Sequence, residues 1–224
     1  MQVADAIEMI KPSFYTLELR FKMKKKITLC ALLTIAVPLL ITGRNIPFQT
    51  ETQIKQAFGS PIDSYNGVTV YYYGNGGKTK HRNLSKDGYN FGLKYECTEF
   101  VKRYYYVHFN HNMPVTYGNA KDFYNNNIKD GQRNIQRDLI QYSNPSRTKP
   151  KEGDLIIFPS NKFNHFGHVA IISKVTNNEI EVVQQNLGLS TRATYGLLKT
   201  DNGWEVKENF ASLIKINPLG WLRK

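Results

Sequence analysis

Two side chains in this sequence have the type and setting for nucleophilic chemistry. Cys97 stands where a polar, glycine-punctuated stretch gives way to a helical pattern, with Phe100, Val101, Tyr104, Tyr105 and Phe109 at helical spacing. A thiol at a helix start meets the positive end of the peptide dipoles and free backbone N–H groups, which favour its thiolate. The same N–H groups can hold an oxyanion. His168 follows 71 residues later and opens the apolar run His168-Val169-Ala170-Ile171-Ile172, with Gly167 before it leaving room around the ring. Taken alone, such a cysteine is more often a small buried apolar residue, and such a histidine more often structural. Together they have the order and supports of a thiol hydrolase. The imidazole takes the thiol proton, leaving a thiolate–imidazolium pair, and later protonates the leaving amine.

A third group must hold the histidine tautomer. Gln184, Gln185 and Asn186 end the next apolar segment. Strand alternation puts Gln184 and Asn186 on one face and Gln185 on the other. Which face meets His168 depends on hairpin register, which the sequence leaves open. Asn186 and Gln184 are therefore both candidates.

The elements that must position these residues can be read in outline. Residues 44–64 form a connector, with a short helix expected over Thr52–Phe58. Gly67–Tyr73 is β-branched and aromatic and reads as a strand. Residues 78–92 read as a loop, Cys97–Phe109 as a helix, and Asn119–Asn126 and Gly131–Gln141 as two further short helices. Gln141–Lys151 is a Ser/Asn/Pro-rich surface loop. Strands follow at Asp154–Phe158, His168–Val175 and Glu179–Gln185, the last two joined by a hairpin through Thr176-Asn177-Asn178. Gly203–Lys207 and Ile214–Leu222 add two more. Helices first and an antiparallel sheet after is an α+β order.

Four segments carry a family resemblance: Tyr95-Glu96-Cys97-Thr98-Glu99-Phe100-Val101, Pro150–Phe158, Gly167–Ile172 and Val183-Gln184-Gln185-Asn186. In this order they resemble the CHAP family, cysteine- and histidine-dependent amidohydrolases and peptidases within the papain-like NlpC/P60 superfamily. The likeness runs over residues 65–224. It implies a papain-like α+β fold with a Cys-bearing helix on an antiparallel sheet, Cys97 as nucleophile, His168 as base, amide chemistry and no metal or cofactor. Where the family often shows Glu-Gln-Asn, this chain has Gln184-Gln185-Asn186. A neutral glutamine stabilises imidazolium less than a carboxylate would. Asn186 matches the family asparagine, is shorter and has fewer rotamers to freeze, so it ranks ahead of Gln184 as the orienter. Tyr95 is the nearest side-chain donor for an oxyanion.

Other residues have plainer readings. His165 sits in a loop, and His108 and His111 flank the helix end, where cationic rings complement the dipole. Asp154 reads as turn chemistry. Trp204, Trp221 and the Tyr71–Tyr73 and Tyr104–Tyr106 runs read as core.

Composition narrows the class. The chain has 224 residues, 41% hydrophobic, with a net charge of +12. Two cysteines exclude a disulfide scaffold and a Cys-only zinc site. Five scattered histidines make no metal cluster by spacing, and no GxGxxG, Walker loop or HExxH is present. Lys24-Lys25-Lys26 precedes an apolar run over 27–41, which suits the h-region of a secretory signal or a membrane anchor better than a full span. Met23 is a plausible start, and residues 1–43 form an extension outside the catalytic domain. The reading is an exported, monomeric thiol amidohydrolase or endopeptidase acting on peptidoglycan, secreted, periplasmic or anchored through 27–41. Its basic surface suits an anionic polymer other than nucleic acid. Two alternatives stand beside it. The region around Cys97 also resembles the amidase domain of glutathionylspermidine and trypanothione enzymes, and Gln184 admits a weakly active module that binds cell wall.

Overall fold

The computed structural model describes residues 56–74, 79–208 and 216–224. The apolar run 27–41 and the start of the Thr52–Phe58 segment lie outside the described residues, and residues 56–58 are not helical. The chain divides after Gln53, and the described residues all belong to the unit from Ile54 onward.

Among the described residues, one α-helix and twelve strands make a mixed, sheet-dominated architecture. Helix α1, Cys97–Phe109, has the bounds its pattern predicts. Phe100, Val101, Tyr104 and Tyr105 are fully buried, so every third or fourth side chain faces the sheet. Asn110 ends it in the left-handed region, its N–H bonded to the Tyr105 carbonyl.

Eight antiparallel strands form the main sheet. In spatial order they are β11 (Gly203–Glu208), β10 (Arg192–Thr200), β9 (Glu179–Val183), β8 (His168–Val175), β7 (Leu155–Phe158), β12 (Gly220–Arg223), β6 (Leu139–Ser143) and β5 (Gln132–Asn134). Two hairpins stand apart: β1 (Pro61–Tyr65) with β2 (Val68–Tyr71), and β3 (Arg82–Leu84) with β4 (Asn90–Leu93). Strand alternation divides the core. Leu155, Ile157, Val169, Ile171, Val183 and Leu222 pack with α1, while Ile156, Ala170, Ile172, Val182 and Trp221 fill the opposite face.

Several elements depart from the sequence reading. Residues 78–92 contain β3 and the start of β4 rather than a plain loop. The expected helix over Gly131–Gln141 is instead the β5–β6 pairing. Of its inward residues only Leu139 is apolar, and the Asn134 amide donates to Gln141 Oε1 at 3.0 Å, so no apolar period marks it. The Asn119–Asn126 helix is a single 3-10 turn, Ala120–Phe123. Strand β10 has no counterpart in the sequence reading, because only Leu197 of its nine residues is buried. Strand β1, except for its last residue Tyr65, falls within the stretch read as connector.

Candidate active site

Cys97 occupies the first turn of α1. Its side chain is 7% exposed. Backbone N–H groups at Val169, Thr98 and Cys97 itself favour the thiolate, but burial outweighs them and pushes the thiol up to about 12. The neighbouring Glu96 carboxylate adds to the rise. The Val169 contact matters for architecture, because it ties the helix start to the strand that begins with His168.

His168 opens β8 opposite Phe158 of β7. Its approach depends on Gly167, which lies at φ +73°. A Cβ there would meet the Phe158 carbonyl oxygen at 2.6 Å and the Lys121 backbone nitrogen at 3.1 Å. Backbone crowding, rather than space for the imidazole, is thus what requires glycine. Burial pushes the His168 ring down to about 4, partly offset by its bond to Gln184. Cys97 and His168 line one cleft of about 420 Å³ with Glu96, Lys102, Asn186 and Phe166. No direct hydrogen bond joins them, and burial disfavours the charged form of each. Burial thus works against a thiolate–imidazolium pair in the free protein.

The side chain bonded to the His168 ring is Gln184, the residue that the sequence ranks second to Asn186. His168 Nε2 lies 3.2 Å from Gln184 Oε1. The Gln184 amide nitrogen donates to the Ser190 carbonyl at 3.2 Å, which fixes the oxygen toward the ring. Nε2 is thus the protonated nitrogen, and Nδ1, rather than Nε2, is left as acceptor. Asn186 instead donates to Glu96 Oε2 at 2.6 Å. The reason is backbone geometry. Ile171 and Ile172 pair with Val183 and Val182, so an uninterrupted strand would bring Asn186 opposite His168. The strand ends at Val183, and Asn186 turns at φ +70°.

Gln185 has a role that sequence reasoning passes over. It faces the helix, donating to the Glu96 carbonyl at 3.1 Å and to Glu99 Oε2 at 2.8 Å, and accepting from the Tyr71 N–H at 2.8 Å. Glu99 is fully buried and also bonds Arg103 at 2.6 Å and Asn83 at 2.7 Å. The network locks the start of α1 to the end of β9. An acid in the first helical turn, directly before the apolar Phe100-Val101 pair, is its one sequence signal, since a charge buried there needs partners.

The remaining candidates fall elsewhere. Tyr95, the nearest side-chain oxyanion candidate, packs against Phe58 and Tyr71, outside the cleft lining. His165 is exposed. His111 is buried with its Nε2 2.9 Å from the Arg137 carbonyl. Tyr104, Tyr105 and Trp221 are core residues. Asp154 does accept a turn bond from the Lys151 N–H, but it also pairs with Arg223 at 2.6 Å.

Two likenesses to known proteins cover the part of the chain that holds the site. The chain is similar to a trypanothione synthetase from Crithidia fasciculata, 28% identical over 136 residues, which are 58% of this chain and 21% of that protein. The chain thus spans about a fifth of that relative's length. Residues 87–186 match the CHAP domain, a span that begins before α1 and closes on Asn186. Amidohydrolase or peptidase chemistry goes with that domain, and the chain is similar to the CHAP family over that span.

Proposed function

We propose that the protein is a papain-like thiol amidohydrolase in which Cys97 is the nucleophile, His168 the base and Gln184 the group that orients the base. The observation that carries this reading is the shared cleft. A helix-start thiol ringed by backbone N–H groups and a histidine with its Nδ1 left free line the same cavity. In the first step Cys97 Sγ attacks the amide carbonyl carbon as its proton passes to His168 Nδ1. The backbone amides of Cys97 and Thr98, which face the thiol, are the donors this mechanism assigns to the oxyanion. The tetrahedral species collapses, the C–N bond breaks and His168 returns the proton to the leaving amine. Water then attacks the thioester, with His168 again as base, and releases the acid.

Peptidoglycan is the favoured substrate, and export the favoured setting. The support is the Lys24–Lys26 cluster before the apolar run 27–41, with a basic chain suited to an anionic polymer. A second reading, cleavage of a glutathionylspermidine-like conjugate, is supported by the likeness to trypanothione synthetase. Digestion of purified sacculi, with new ends identified by mass spectrometry, tests the first against the second. Loss of release in Cys97→Ser is expected, since this histidine activates a hydroxyl poorly. Serine-variant turnover equal to the parent would refute the nucleophile. A reporter active only outside the cytoplasm, fused behind residues 24–43, should give signal; a silent reporter would favour the conjugate.

A further inference from the structure

Glu96 is a carboxylate in an awkward place. It is the residue before the nucleophile and the N-cap of α1, yet its side chain makes no capping bond. The carboxylate instead lines the cleft. Its partners are neutral donors: the Asn186 amide at 2.6 Å and the Tyr73 hydroxyl. Among the described residues no lysine or arginine pairs with it. The carboxylate is thus oriented by two neutral donors and turns its charge to a cavity that Arg82 and Lys102 also line without pairing with it. That charge opposes the thiolate that catalysis must form. A neutral glutamine could make the same bond to Asn186 without this cost.

The cost disappears if the substrate brings the missing cation. We propose that Glu96 is the specificity residue for a primary ammonium group carried by the substrate beside the amide that Cys97 attacks. This rests on the amidase reading and adds to it a substrate class: amides bearing a free amine. Binding places the ammonium against Glu96, makes a charge-assisted hydrogen bond and cancels the field on the neighbouring thiol. The correct substrate thereby eases its own attack, and an analogue without the amine meets a less reactive sulfur. Asn186 acts here as a positioning residue for Glu96. Both a diamino acid in a wall peptide and a polyamine conjugate offer such a group.

The test uses the full chain and two probes, the tripeptide L-alanyl-γ-D-glutamyl-L-lysine and a γ-glutamyl polyamine amide. Each is prepared with its amines free and with them acetylated. For at least one probe the parent should prefer the free form in kcat/KM by roughly ten- to a hundredfold, the worth of one charge-assisted bond. Which probe shows the preference identifies the source of the amine. In Glu96→Gln the ratio between free and acetylated forms should fall to near one, and Glu96→Asp should restore part of it. A parent ratio near one for both probes, or a ratio unmoved by Glu96→Gln, overturns the assignment. Calorimetric binding to Cys97→Ser protein separates this from the amidase reading. If the parent cleaves neither probe while binding still discriminates through Glu96, the amidase reading falls and the ammonium site stands.

Discussion

His168 is held by an amide where a carboxylate would stabilise its cation better, and it sits in a desolvating pocket that pushes it down to about 4. Burial therefore favours the neutral ring, the form that the proposed base requires. In the proposed mechanism, coupling proton transfer to attack offsets the weakness of such a base. Gln184→Ala removes the acceptor that fixes the tautomer, and kcat should fall roughly ten- to a hundredfold. Asn186→Ala should cost less on the same defined amide substrate, because its bond goes to Glu96. A larger loss in Asn186→Ala would return the orienting role to the asparagine. Gln184→Glu places a negative charge against the ring and raises the imidazolium pKa. The base must be neutral to act, so the acid limb of the kcat/KM profile should move to higher pH. An unmoved limb would mean that Gln184 does not face the ring during catalysis.

At the scale of elements, the site exists because the start of α1 is fastened to the end of β9. Gln185 is the fastener, with one amide serving the Tyr71 N–H, the Glu96 carbonyl and the buried Glu99 carboxylate. Gln185→Ala leaves these groups short of partners inside the protein. A stability loss of about 1–3 kcal/mol is expected by urea denaturation. Slower labelling of Cys97 by a thiol reagent should accompany it, because the helix start shifts from the Val169 amide. Unchanged labelling with lowered stability would make Gln185 a purely structural residue. The legibility of these elements follows the strength of their apolar pattern. Helix α1 and strands β7 and β8 bury whole faces, and their residues announce it. The β5–β6 pair joins through Asn134 and Gln141, and β10 shows water most of its length, so neither writes a period into the sequence. Cys97 and His168 are legible because each begins a strongly patterned element. The choice between Gln184 and Asn186 is not, because a single left-handed residue after β9 decides it.

At the scale of the whole described unit, the strand nearest the C-terminus lies in the middle of the sheet. β12 pairs with β7 on one side and β6 on the other, so it joins the His-bearing half of the sheet to the β5–β6 hairpin. Arg223 pins it. Its guanidinium reaches both Asp154 oxygens, at 2.8 and 2.6 Å, and the Lys149 carbonyl at 2.9 Å. Asp154 is only 2% exposed, and burial raises its carboxyl even against this arginine. Arg223→Met keeps much of the side-chain bulk and removes the charge. It should destabilise the protein by about 3–5 kcal/mol at pH 7, the cost of leaving a buried carboxylate uncompensated. The pH dependence has a definite sign. Without Arg223 the folded-state pKa of Asp154 rises further above its unfolded value, so the folded variant takes up a proton that the unfolded chain does not. The variant should regain stability relative to the parent as pH falls from 7 toward 5, because protonation removes the stranded charge. Paired urea titrations of parent and variant at the two pH values measure this directly. A deficit that stays constant with pH would show that packing of the arginine stem, and not its charge, secures β12.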